Sequence, residues 1–381
     1  MKFRLSYGKT GNQDGIGNYA WQPLMSGGIN YGNNSGMAVT SMGNNKLTWE
    51  TADQYDFGFD LGFWNGKLNM IADIYLKNTN NLLYSMPLHG TSGFTSITSN
   101  IGSMRNYGVE FSINGHLNIG KVNWTSSFNI SHNKNKLTKL LGDDLLPIGS
   151  NRALKVGKEL GTFYLFQMDG LYQYDGEVPQ PLYDLGVRAG DVKYHDVDNN
   201  GIINDNDRVL TGSSNPDFFG GWNNTFKYKG FQLDVFFTYM YGNDVYAEWA
   251  VTATRPGYRM AITEDVAKNR WTAPGSSDKY PRAVNTLCGH NSKNSTRFLE
   301  DGSFIRLRSL TFSYTFPQVM LQKIRLKGLR MYVQGDNLLL FSKYSGWDPE
   351  VSKNMDPQFF GVDLYGVPPS RSVNFGINLS F

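Results

Sequence analysis

The stretch "DVDNNGIINDND", residues 196–207, places oxygen-bearing side chains at the spacing of a cation-binding loop. With Asp196 at the first position, Asp198, Asn200, Asn204 and Asp207 follow at the third, fifth, ninth and twelfth, and Ile202 offers its carbonyl at the seventh. Calcium takes six to eight oxygens, and Gly201 at the sixth position permits the sharp turn that wraps such a loop around one point. An aspartate at the last position has a shorter reach than the glutamate of calcium sensors. The flanks "GVRAGDVKYH" and "RVLTGSSNP" carry Gly, Pro and β-branched residues where an EF-hand needs amphipathic helices. A calcium ion here would therefore be a structural staple that fixes a long loop, not a sensor. The plainer reading is a surface turn rich in Asp, Asn and Gly.

Other candidate chemistry is weaker. Asp56, Asp60, Asp73 and Glu110 form a set of carboxylates that paired glycosidase chemistry would require, but on alternating strand positions they read as a hydrated wall. The "RLR" at 306–308 is a candidate counter-charge for them. His89, His116, His132, His195 and His290 show no metal-ligand spacing. "DGIGNYA" lacks both the lysine and the strand–helix context of a phosphate cradle. Cys288, the single cysteine, excludes an internal disulfide framework and has no histidine pattern around it that suggests catalysis. These observations predict that the protein is not an enzyme. Tyr172, Tyr174, Trp249, Trp271 and Trp347 are aromatic residues of predicted loops, suited either to stacking on sugar rings or to packing the loops together. No substrate-binding residue follows from the sequence.

The elements that position these residues are strands. Aromatics make up 14% of the 381 residues and glycines number 42, which suits strands and turns more than helices. The net charge of +3 argues against a nucleic-acid partner. The mean hydropathy of −0.41 fits a soluble protein and an alternating membrane strand equally. In "QYDFGFDLGFW", Tyr55, Phe57, Phe59, Leu61 and Phe63 share one face while Asp56 and Asp60 point the other way. Asn65-Gly66 then marks a hairpin.

The same alternation predicts ten strands, at 2–9, 47–64, 67–78, 100–118, 122–134, 214–228, 231–242, 303–316, 328–341 and 370–381. Short connections (65–66, 119–121, 229–230, and 317–327 with one helical turn) alternate with long ones. That alternation fits a membrane β-barrel with tight periplasmic turns and long outer loops better than a sandwich. An even count puts both termini on the periplasmic side. "GTFYLFQMDG" (161–170) looks strand-like but is assigned to the 135–213 outer loop, because one more crossing would break the short–long order. The cation-like motif falls in that same loop.

Taken in order, "LSYGKTGNQD", "LTWETADQYDFGFDLGF", "ADIYLKNTNNLLYSMPLHGTSGF", "NIGSMRNYGVEFSI", "GDVKYHDVDNNGIINDNDRVLTGSSNPDFFGG", "DGSFIRLRSLTFSY", "YVQGDNLLLFSKYSGWDPEV" and the terminal "FGINLSF" resemble the SusC/RagA-like family of TonB-dependent outer-membrane transporters. The resemblance covers nearly the whole chain. It implies that 1–381 is the C-terminal part of a 22-stranded all-β, antiparallel transmembrane barrel. The family's signal peptide, accessory domain, TonB box and plug have no counterpart in the sequence. It further implies residence in the outer membrane and import of oligosaccharides or peptides. The implied partners are a SusD-like surface lipoprotein and, through the N-terminal part, the TonB complex. Phe381, after Leu379, Ile377 and Phe375, resembles the signal read by the outer-membrane assembly machinery. Two other readings are a self-contained ten-stranded passive barrel, in which 2–9 pairs with 370–381, and a soluble calcium-stabilised carbohydrate-binding β protein.

Overall fold

The computed structural model describes all residues except 141, 143, 144, 258, 259, 285–288, 323, 324 and 356–358; Cys288 lies outside the described residues. Ten strands form one antiparallel meander: β1 (Lys2–Asn12), β2 (Glu50–Phe63), β3 (Leu68–Pro87), β4 (Ser96–Ile119), β5 (Val122–Leu140), β6 (Phe218–Tyr228), β7 (Phe231–Tyr241), β8 (Phe304–Thr315), β9 (Gly328–Ser342) and β10 (Ser372–Ser380). Each pairs with its sequence neighbour. Among the described residues β1 pairs only with β2 and β10 only with β9, so the sheet has two open edges. The self-closing barrel, which needs β1 on β10, is not the arrangement seen.

The short turns lie at one end, as expected. Trp64, Asn65 and Gly66 all adopt positive φ, making a turn one residue wider on each side than Asn65-Gly66 alone. Lys229 and Gly230, both at positive φ, close β6 onto β7. The β8–β9 connection does contain one helical turn, Gln318–Leu321. At the other end β3, β4 and β5 run well past their predicted limits, with bulges at Asn80/Leu82 and Ser103/Met104. In β3 the bulge shifts side chains to the other face just past residue 78, so the sequence pattern stops short of that strand's true end.

The sheet has two unlike faces. Cross-strand rows such as Leu5–Phe57–Ile74–Val109–His132 and Phe231–Tyr314 lie on the outer one. Phe57 is 43% exposed and Phe375 83%, so these side chains form no core against another layer. Opposite them lies a polar inner face. Arg4 bridges Asp60 (2.9 Å) and Asp73 (2.8 Å), Tyr75 donates to Asn133 (2.9 Å), and Thr225 donates to Asp234 (2.7 Å). Gly58 makes the Arg4 cluster possible: a Cβ there would collide with Asp73 Oδ1 and lie 2.7 Å from Arg4 Nη2.

The apolar core sits beyond the sheet, in the long connections. Phe163 and Leu165, Val245, Tyr246, Ala250 and Phe298, and Tyr344 and Val362 come from three different loops and pack into one fully enclosed cluster. Short strands fasten it: Asp244–Ala247 pairs antiparallel with Leu299–Asp301 and parallel with Val362–Asp363. A second cluster, with Leu171, Tyr172, Leu182, Val192, Tyr194 and Ile203, belongs to the loop that carries residues 196–207.

Candidate functional site: a loop layer above a two-faced sheet

The β5–β6 loop builds its own scaffold. Thr162–Phe166 stands between Arg208–Ser213 and Arg152–Lys155 in a four-stranded sheet, so the strand-like 161–170 segment lies in the loop and does not cross with the ten. Met168–Leu171 pairs with Val192–Tyr194 and hands the chain to the acidic turn.

Within that turn the structure brings together three of the six predicted ligand residues. One carboxylate oxygen each from Asp196, Asp198 and Asp207 lies within 4.8 Å of the other two. Oxygens at calcium's bonding distance of about 2.4 Å can stand at most about 5 Å apart across the ion, so this spacing fits one. Asp207 is fully buried and accepts from Val197 N (2.9 Å) and Asn204 N (2.8 Å). Asp196 accepts from Gly201 N (2.7 Å) and Asn200 N (3.2 Å). Partial desolvation pushes its carboxyl up, but these backbone donors together hold it below the ordinary value. Gly201 at φ +79° supplies the predicted turn.

The other three predicted ligands are two asparagines and the Ile202 carbonyl. Asn200 Oδ1 accepts from Ile202 N (2.8 Å), while its amide donates to Asp198 (3.0 Å). Asn204 caps the helical turn Asp205–Asp207, its oxygen accepting from Asn206 N (2.9 Å). Ile202 keeps an exposed side chain, while its neighbour Ile203 anchors the turn in the second apolar cluster.

A buried polar network ties this unit to the β7–β8 loop. Arg282 donates through Nε and Nη2 to the two oxygens of Asp191, both at 2.9 Å, and Asn291 donates to Asp191 Oδ1 (2.8 Å). His290 Nε2 lies 2.7 Å from the Val192 carbonyl, and burial pushes its pKa below the ordinary histidine value despite that bond. Nothing in the sequence spacing connects 191 to 282 or 290.

The "RLR" arginines do not reach the predicted carboxylates. Arg306 pairs with Asp348 (2.6 Å) and Glu350 (3.0 Å), and Arg308 with Glu350 (2.8 Å), all in the β9–β10 loop. The cause is topological: β8 is separated from β2 and β3 by several strands, whereas the β9–β10 loop folds back over it. Asp60 and Asp73 are served by Arg4 instead.

The loop aromatics divide into two groups. Tyr172 is buried, Trp271 packs on the same cluster and donates to Gln173 (3.1 Å), and Trp249 donates to Tyr344 (3.0 Å) beside the first cluster. These three hold the loops together. Tyr174, 62% exposed, and Trp347, 76% exposed, present open faces to solvent.

This combination of an apolar outer face, a polar inner face and a folded loop layer agrees with the sequence matches. Residues 1–338 match the model of the TonB dependent receptor-like β-barrel. The chain belongs to that family. It is 32% identical along its whole length to TonB-dependent receptor P3 of Formosa agariphila, and 28% identical to TonB-dependent receptor SusC of Bacteroides thetaiotaomicron. It spans 39% and 37% of those two proteins. It superposes over its full length on a solved structure of the RagAB peptide transporter, with a TM-score of 0.84 and 27% identity, covering 40% of that chain. It is thus a SusC/RagA-like barrel of the outer membrane, and its family comprises transporters, not enzymes.

Proposed function

We propose that the protein takes part in TonB-driven import of oligosaccharides or peptides, working with a SusD-like lipoprotein that closes over its outer face. The observation that carries this reading is the loop layer. Three connections that need only join strands instead share an enclosed core, which holds a shaped surface over the polar inner wall. Its likeness to SusC and to the RagAB peptide transporter supports TonB-dependent transport with a partner lipoprotein, and the latter's name supports peptides as one substrate class. Tyr174 and Trp347 are our candidates for stacking against a sugar ring or a peptide side chain. The test is to extract the protein from outer membranes in mild detergent, identify what co-purifies, and measure uptake of labelled glycans and peptides with and without TonB. A surface lipoprotein and TonB-dependent uptake are expected. Recovery of the barrel alone, or uptake unchanged without TonB, would reject the proposal.

We also propose that Asp196, Asp198 and Asp207 hold a calcium ion, which braces the β5–β6 loop. Three carboxylates this close repel one another, and a divalent cation removes that repulsion. Limited proteolysis between 180 and 215 should be slower in calcium than in chelator for the native protein, and insensitive to calcium in Asp196→Ala. The same cleavage rate in calcium and chelator for the native protein would dismiss the ion.

A further inference from the structure

The strand register orders the outer face into rows, and two successive rows differ sharply. One runs Tyr7–Tyr55–Leu76–Tyr107–Lys134 across β1 to β5. Two residues further toward the loops, the next reads Lys9–Asp53–Asn78–Arg105–Lys136. The first is a tyrosine belt with exposed rings, the signature of a membrane–water boundary. From Tyr107 to Leu117 at the far end of β4, the strand advances about 33 Å at roughly 3.3 Å per residue, or about 25 Å of height at a tilt of roughly 40°. That matches the apolar band of an outer-membrane barrel, so the charged row lies at the outer-leaflet surface.

The charges in that row are unevenly balanced. On β1 and β2, Asp53 accepts from Tyr7 (3.1 Å) and stands 3.9 Å from Lys9. On β4 and β5, Arg105 bonds only the neutral Asn78 (2.9 Å). Among the described residues no carboxylate lies within 4.0 Å of Arg105, Lys136 or Lys139, and Lys134 has only a 3.6 Å contact to Asp217. Arg105 and Lys136 are direct cross-strand partners, which brings their Cβ atoms to about 5 Å and lets both heads reach one anion.

We propose that this surface of β4 and β5 binds the phosphate of a phosphorylated glycolipid of the outer leaflet. Arg105 supplies a planar donor pair, Lys136 a second charge, and Lys134 and Lys139 flank them. Tyr107 and Val109 lie immediately below, where the acyl chains of the same lipid would rest. Sugar and phosphate at the boundary with chains beneath match the vertical order of the protein surface.

The test uses the protein extracted from its own outer membrane and native mass spectrometry, comparing the native form with Arg105→Ala/Lys136→Ala. Lys67→Ala/Lys121→Ala, which removes the same charge at the opposite rim, is the control. Heat-modifiable migration on gels verifies that each variant is folded. The native protein and the rim control should retain a phosphorylated glycolipid, and the row variant should retain at least about tenfold less, as expected for the loss of charge-assisted bonds. Reconstitution with monophosphoryl lipid A should restore occupancy, while its dephosphorylated form and inorganic phosphate should not. Equal retention by native and row variants, equal loss in the rim control, or equal binding of the dephosphorylated lipid would each overturn the proposal. So would inorganic phosphate binding as tightly as the lipid.

Discussion

Replacing Arg306 tests how the loop layer is fastened to the barrel. Its guanidinium is 3% exposed and holds Asp348, itself 5% exposed, at 2.6 Å, with Glu350 at 3.0 Å. Arg306→Met keeps volume but leaves Asp348 buried without its cation; losing one partner of such a pair costs about 3–5 kcal/mol. Glu350 keeps Arg308, so the damage should centre on Asp348. A local opening equilibrium weakened by that amount rises by roughly two to four powers of ten, which hydrogen exchange resolves. We expect exchange to accelerate in residues 343–371 while β8 and β9 stay protected in the membrane. Arg306→Met combined with Asp348→Leu should recover most of the loss, because an apolar pair of similar size avoids the unpaired charge. If the double variant opens as readily as the single one, the bridge is not what holds the loop, and the argument from burial and pairing is wrong.

Three further outcomes follow from the same structure. Gly58→Ala should lower the temperature at which the folded gel band is lost only slightly, by an amount reflecting at most about 1 kcal/mol, because its Cβ displaces the ends of the half-exposed Arg4–Asp73 pair. Gly8→Ala meets no atom within 4 Å and should be near neutral; equal effects would contradict the steric account. Phe163→Ala should destabilise the loop layer by about 3–5 kcal/mol, making 145–215 sensitive to protease while the barrel band persists, and unchanged cleavage would argue against a shared core. His290, whose folded-state pKa burial depresses, stabilises its loop while neutral. That stability is present above the unfolded value of about 6.5 and is lost as pH falls from there through the depressed folded value. Protection factors in 166–203, with the intrinsic pH dependence of exchange divided out, should therefore fall on acidification in the native protein and not in His290→Gln, and identical protection–pH profiles would exclude this histidine.

The barrel strands were readable from the chain because one physical rule governs them. Side chains alternate between lipid and water, so Phe57 and Asp56 announce their faces without help from distant residues. Turn chemistry was equally local at Lys229-Gly230, whereas the outer end of β3 escaped the pattern once a bulge broke its parity. Of the acidic turn, the spacing anticipated the cluster of Asp196, Asp198 and Asp207. It did not anticipate that Asn204 caps a helical turn, since that depends on which backbone N–H lies nearest after folding.

The sequence by itself determined the strand architecture: alternation set the two faces, and the short–long rhythm of connections set the side on which the loops gather. Only the tertiary structure decided what those loops are. Tyr246 meets Phe163 and Phe298, Asp191 meets Arg282, and Arg306 meets Asp348 across wide gaps in the chain. No periodicity encodes such meetings, because burial and charge pairing select partners by proximity in space, after the sheet has brought distant segments side by side.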